Sequence, residues 1–180
     1  MNDVKKHWFY KLCVKQCIKD FVWIILGILF GMIGVWLIAT GGGIFSILLF
    51  VGLAAAMIIM GADAVFVKLP NVKKTIEAMD PYEYENLGDT APQCMHKTFY
   101  LTKGYLCTPV DYAMIPYKDI TGMNVRQHLY KGQNKGGYLD LDLNGGAEKK
   151  TLHVSDRRFV ENSGRLLELI EQGKNAYIGG

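Results

Sequence analysis

The sequence predicts an α+β protein: an N-terminal two-helix transmembrane hairpin, then a bent antiparallel β-sheet or barrel capped by a C-terminal helix. Three observations predict it. Residues 21–39 (FVWIILGILFGMIGVWLIA) and 44–62 (IFSILLFVGLAAAMIIMGA) carry no charge, and each is long enough to cross a hydrocarbon core, which needs about 20 helical residues. From residue 97 onward apolar and polar residues alternate with the strand period, in runs separated by turn signals. After residue 155 the apolar spacing becomes helical. A chain of 180 residues holds such a hairpin plus one domain of roughly 100 residues. The predicted division is residues 1–67 for a juxtamembrane helix and the hairpin, 68–96 for a short helix and connector, and 97–175 for the β domain with its helix.

The hairpin is read from length and charge. A cleaved signal peptide has a shorter apolar region and no second apolar run behind it. The formal net charge of +3 is local. Lys5, Lys6, Lys11, Lys15 and Lys19 precede the first span, Lys68, Lys73 and Lys74 follow the second, and residues 40–43 (TGGG) have no base. The positive-inside rule then places both termini in the cytoplasm, with residues 40–43 outside, in a cell membrane crossed twice. Such local charge is no nucleic-acid signature. Trp8, Phe9 and Tyr10 beside the lysines read as an amphipathic lead-in helix lying on or rising into the bilayer. Gly27 and Gly31 in the first span, with Gly52 and Ala56 in the second, are candidates for a close packing face. Asp63 falls in the last turn, within reach of water or a lysine. A deeper carboxylate with a partner is the usual proton relay.

Cys13, Cys17, Cys94 and Cys107 lie on the reducing side under this topology, which argues against disulfides. Cys13 and Cys17 are one turn apart, but no second pair with finger-like spacing accompanies them. Palmitoylation of that pair would need a eukaryotic cell.

Further along, Asn71 is expected to cap a short helix that ends at Pro81, and residues 82–93 read as an irregular connector. KTFYLT and YLCT flank Lys103-Gly104 as a hairpin. A third strand at residues 112–115 meets Pro116, which stops the ladder. Ile120 is expected to anchor the next strand, ITGMNVRQHLY, in the core. KGQNKGG reads as a flexible loop. YLDLDLN alternates strictly, placing Leu139, Leu141 and Leu143 on one face and Asp140 and Asp142 on the other. Residues 144–146 turn the chain into KKTLHV. The final helix is capped by Ser155 or Asp156, aligns Phe159, Ser163, Leu166, Leu167 and Ile170, and is expected to stop at Gly173. About six strands result.

FYLTKGYL, AMIPYKDITGM, YLDLDL and the terminal helix resemble the bacterial pleckstrin-homology-like domains, in particular those tethered to a cytoplasmic membrane by two preceding spans. The resemblance covers residues 97–172, with the hairpin as architecture. It implies a cytoplasmic β-barrel or half-barrel with a capping helix that acts as a binding or assembly module, and it implies no substrate. Eukaryotic phosphoinositide-binding relatives use a basic loop between their first two strands. Lys103-Gly104 leaves no room for such a pocket. Lys131 and Lys135 in the later loop are within the chemistry of anionic lipid, although solvated loop lysines are the ordinary reading.

Chemistry in the sequence is sparse. Asp140 and Asp142 share a strand face and could hold a cation or share a proton, but alternating acids are ordinary on a half-buried sheet. His96, His128 and His153 have no metal-site spacing, and no glycine loop cradles a phosphate. No catalytic, cofactor or metal residue is assigned. The expectation is a non-catalytic, membrane-anchored interaction module with a protein partner in or at the membrane, no nucleic acid, and room for a homo-oligomer. The alternative is a small membrane enzyme or transport accessory using Asp63 or the Asp140/Asp142 pair.

Overall fold

Residues 8–26 contain neither glycine nor proline, and nothing breaks the helix that starts there: α1 runs without interruption over Trp8–Ala39. The lead-in segment is therefore the first turns of the same helix and not a separate one. The computed structural model describes residues 4–178, and these fall into two compact units, residues 4–6 with 10–78 and residues 7–9 with 79–178.

In the first unit, residues 40–43 turn α1 into α2 (Ile44–Ala62), with Gly42 N–H donating to the Leu37 carbonyl at 2.8 Å. The helices close on a line of small residues. A Cβ on Gly27 would lie 2.9 Å from the Ala54 carbonyl oxygen, one on Gly34 3.1 Å from Val51, and one on Gly61 3.0 Å from the Asp20 carbonyl oxygen. Val51, Ala54, Ile58 and Gly61 follow three- and four-residue spacing and so share one helix face. The predicted positions in the second helix are corrected by this: Gly52 meets nothing within 4 Å and Ala56 is exposed, because both lie off that face.

Asn71 is not a cap. α2 passes through a π turn, Asp63–Lys68, into α3 (Leu69–Ala78). Pro70 is the reason: it has no N–H to donate and its ring presses on the carbonyl four residues back. The wider turn, in which Leu69 N–H reaches the Ala64 carbonyl five residues away, absorbs that mismatch. The apolar helices Trp8–Ala39 and Ile44–Ala78 are long and apolar enough to cross a membrane, and only 11% of the most apolar stretch of each is buried.

In the second unit Pro81 begins a helix and does not end one. Asp80 caps α4 (Pro81–Leu87), its side chain accepting from Glu83 N–H at 2.7 Å, and proline is at home in a first helical turn. The predicted irregular connector is partly this helix. His7–Phe9 pack here: Trp8 Nε1 donates to the Gly88 carbonyl at 2.8 Å and its ring lies 5.5 Å from that of Tyr100.

Among the described residues seven strands, one more than expected, form two antiparallel sheets. The first orders β1 (Cys94–Met95), β2 (Phe99–Leu101), β3 (Tyr105–Thr108) and β4 (Ala113–Pro116) in sequence; the second orders β5 (Ile120–Tyr130), β6 (Gln133–Leu143) and β7 (Glu148–Val154). Among the described residues the two sheets do not close into a barrel. A single 3-10 turn, Tyr117–Asp119, links them, and Ile120 enters the core at 2% exposure, as expected. The expected loop KGQNKGG is also corrected. Only Lys131 and Gly132, with φ of 50° and 74°, turn the chain, a two-residue hairpin turn of the kind that suits strand twist, and Gln133 already belongs to β6.

Leu139, Leu141 and Leu143 point inward, joining Phe99, Leu106 and Leu152 in one core. α5 (Phe159–Ile178) closes it with Phe159, Leu166 and Ile170 fully buried. The helix does not stop at Gly173. That residue faces the Tyr117 ring and serves close packing.

Candidate functional site

In the second unit an open groove of about 880 Å³ lies between α5 and the β1 edge of the first sheet. Its floor is made by Leu101, Thr102 and Tyr117, one wall by residues 92–96, and the other by α5 through Glu161, Asn162, Arg165 and Leu169.

Local chemistry sets each wall. β1 is an edge strand with β2 as its one sheet neighbour. It reverses into β2 through His96 and Lys97, both left-handed with φ of 49° and 61°, a conformation uncommon outside glycine. This turn aims the His96 ring at the start of α5. Its Nδ1 lies 3.1 Å from Asp156 Oδ2, and the ring stands edge-on to Phe159 at 5.1 Å between centroids. Asp156 also accepts from Arg158 N–H at 3.1 Å, in the turn that leads into α5. The His96 contact first, and the Arg158 amide second, hold the Asp156 carboxyl below the usual carboxylate range. His96 therefore pins the β1–β2 turn to the helix N-terminus, while Cys94 stands exposed among the groove-lining residues. Burial, with Cys94 as neighbour, pushes the Tyr100 phenol up to about 12.

At the other end Tyr117 is fully buried and donates its hydroxyl to the Thr102 carbonyl at 3.1 Å. The middle of the helix wall is open. A Cβ on Gly164 meets nothing within 4 Å, so the wall is lowered there by a missing side chain.

The acids singled out in the sequence lie elsewhere and apart. Asp63 is in the first unit, paired with Lys68 at 2.8 Å, both half-exposed. Asp140 takes both Nε and Nη2 of Arg126, the latter at 2.9 Å, and the Thr151 hydroxyl at 2.7 Å. Those hydrogen bonds, the Arg126 one first, bring its carboxyl down to about 2. Asp142 faces Lys149 at 3.9 Å. Each acid on the strand thus has its own base, and they do not form one cation-binding pair.

Pairing across three strands makes one cluster that sequence spacing did not reveal. His128 Nδ1 and His153 Nε2 come within 3.2 Å beside the Tyr138 ring, at 5.0 and 5.3 Å between centroids, and Arg126 lies over the same ring at 5.3 Å. Among the described residues no three His, Cys, Asp or Glu side chains gather as a metal site. The groove also escaped sequence reasoning, since its walls are about 70 residues apart in the chain. Gly164 in the middle of a helical pattern was the available signal.

No family model matches the chain, and neither a curated protein nor a solved structure matches it.

Proposed function

We propose that the chain is a membrane-anchored, cytoplasmic pleckstrin-homology-like module that works by binding, and that the β1–α5 groove seats an extended segment of a protein partner. The observation that carries this reading is the pairing of an edge strand with an open groove at its side. A sheet edge offers backbone N–H and C=O groups to a further strand, and strand addition beside a helix draws affinity from main-chain hydrogen bonds and selectivity from flanking pockets. Leu101 and Leu169 give such a segment an apolar seat, and Glu161, Asn162 and Arg165 give it polar ends.

Two features support anchoring as part of the function. The helices are suited to a membrane, and the lysines at their outer ends favour cytoplasmic termini. A short tether raises the effective concentration of a membrane partner to roughly millimolar, so a weak groove is sufficient. The resemblance to two-span pleckstrin-homology-like proteins points the same way, and the two antiparallel sheets with a packed C-terminal helix share its α+β character, without a closed barrel among the described residues.

The enzyme or transport reading has less to stand on. Asp63, Asp140 and Asp142 each meet a base at the surface, far from the enclosed setting in which a carboxylate is tuned for proton transfer.

The test is purification of the full chain from native membranes with its partners. Asp140→Asn combined with Asp142→Asn keeps the partner set and the cellular phenotype. Gly164→Trp, which fills the groove from an open position, loses both while remaining folded. Loss on the asparagine exchange with partners and folding intact would replace this reading with the ion-site or enzyme alternative.

A further inference from the structure

The β5–β6 hairpin ends in a tip unlike the rest of its sheet. Leu129 and Tyr130 are 58% and 57% exposed there, adjacent to the turn residues Lys131 and Gly132. Lys131 Nζ lies 5.5 Å from the centre of the Tyr130 ring, and Lys135 follows on β6. Residues 120–139 contain no acid. Their bases are Arg126, Lys131 and Lys135, and Arg126 is committed to Asp140. The two lysines remain as the outward charge of the tip.

We infer that this tip is a bilayer contact: Leu129 and Tyr130 enter the headgroup layer of a membrane surface that carries anionic lipid, with Lys131 and Lys135 meeting the lipid phosphates. The side-chain types argue for this occupant. A tyrosine with an apolar body and a polar end is at home at the membrane–water boundary, lysine stems lie along apolar surface while the ammonium stays in water, and each lysine near an anionic leaflet is attracted to it. The left-handed turn residues make the tip a tight hairpin, so little ordering is needed on contact. The same chain carries two helices fit to cross a membrane, which supplies the surface. The contact needs no headgroup pocket, and it leaves the β1–α5 groove for a protein.

The experiment uses the full chain in lipid nanodiscs. Cys94, the exposed native thiol, is replaced by serine, and a nitroxide is attached to single cysteines made by Tyr130→Cys or Glu148→Cys, the latter at the opposite end of the sheet. Oxygen and a water-soluble nickel chelate are the collision probes. In discs of phosphatidylcholine with phosphatidylglycerol, position 130 is expected to be about threefold or more less accessible to nickel than position 148, and open to oxygen. The protection falls in discs of phosphatidylcholine alone, and Lys131→Glu with Lys135→Glu abolishes it. Equal nickel access at the two positions in the anionic discs would overturn the inference. Protection that ignores lipid charge would overturn it as well, as would protection that persists in detergent with a dimeric mass, which would make a second copy the occupant.

Discussion

Gly173 of α5 lies against the Tyr117 ring so closely that a Cβ on it would come within 2.5 Å of Cε2. The glycine weakens the helix locally, yet it lets the helix rest on the corner that joins the two sheets. Gly164, nine residues earlier in the same helix, has open space instead. The two should respond to alanine with opposite sign. Gly164→Ala gains helix propensity, up to about 1 kcal/mol. Gly173→Ala gains the same propensity but overpacks a buried ring, at about 1 to 3 kcal/mol, and nets a loss. Thermal denaturation of both variants checks this, and equal stabilisation would mean that α5 does not seat on Tyr117.

The corner itself gives a second contrast. Ile120→Ala removes a core side chain and should cost about 2 to 5 kcal/mol. Lys118→Ala breaks only a half-exposed contact with Glu83 at 3.7 Å, and should stay within about 0.5 kcal/mol. Similar small losses of stability in the two variants would show that Ile120 is not a core anchor.

His7 predicts a pH dependence. Its Nε2 lies 3.0 Å from the Gly88 carbonyl and its Nδ1 accepts from Phe9 N–H at 3.2 Å, an arrangement that requires the neutral ring protonated on Nε2. Burial lowers its pKa, against a smaller raising effect of the Gly88 contact and Asp89. The unfolded chain then binds the proton more readily. The contribution of His7 is complete above the ordinary value near 6.5 and is lost as pH falls through the lower folded value. Hydrogen-exchange protection of the Phe9 amide should drop on acidification. His7→Gln, which still donates to Gly88, should flatten that response; an unchanged slope would assign it to another group.

The proposed membrane orientation rests on the lysines. A cysteine replacing Gly43, where a side chain meets nothing within 4 Å, should react with an impermeant thiol reagent on intact cells. One replacing Lys149, whose side chain is 81% exposed, should react only after lysis. Labelling of the second on intact cells would invert the topology.

Legibility in the sequence followed the range of the interactions. YLDLDL was readable because a half-buried strand writes its two faces into alternate residues, and the two long apolar helices because an unbroken apolar length shows directly in the residues. β1 was not, since two residues cannot show a period. Pro81 was read as a terminator because proline fits both the residue after a helix and its first turn. Asp80 decides between them by capping. Gly173 looked like a stop for want of knowing that Tyr117, distant in sequence, would lie beneath it. Pro70 inside a helix required a π turn that leaves no residue signature. Beyond Gly164 the groove leaves no local signal: residues 92–96 and α5 meet only through the folded core, and the turn that aims His96 at Asp156 depends on both.

The account rests on the groove as the binding surface, and photo-crosslinking in native membranes addresses that most directly. A photoreactive residue replacing Gly164 in the full chain should join one partner protein at a single extended segment, while the same residue at Lys149 should not. A synthetic peptide of that segment should bind the unmodified protein and lose its affinity for Gly164→Trp by about 100-fold, equivalent to ~2.7 kcal/mol. A segment that binds both forms equally, or crosslinks that fall alike at both positions, would contradict the assignment of the groove and with it the proposed mode of action.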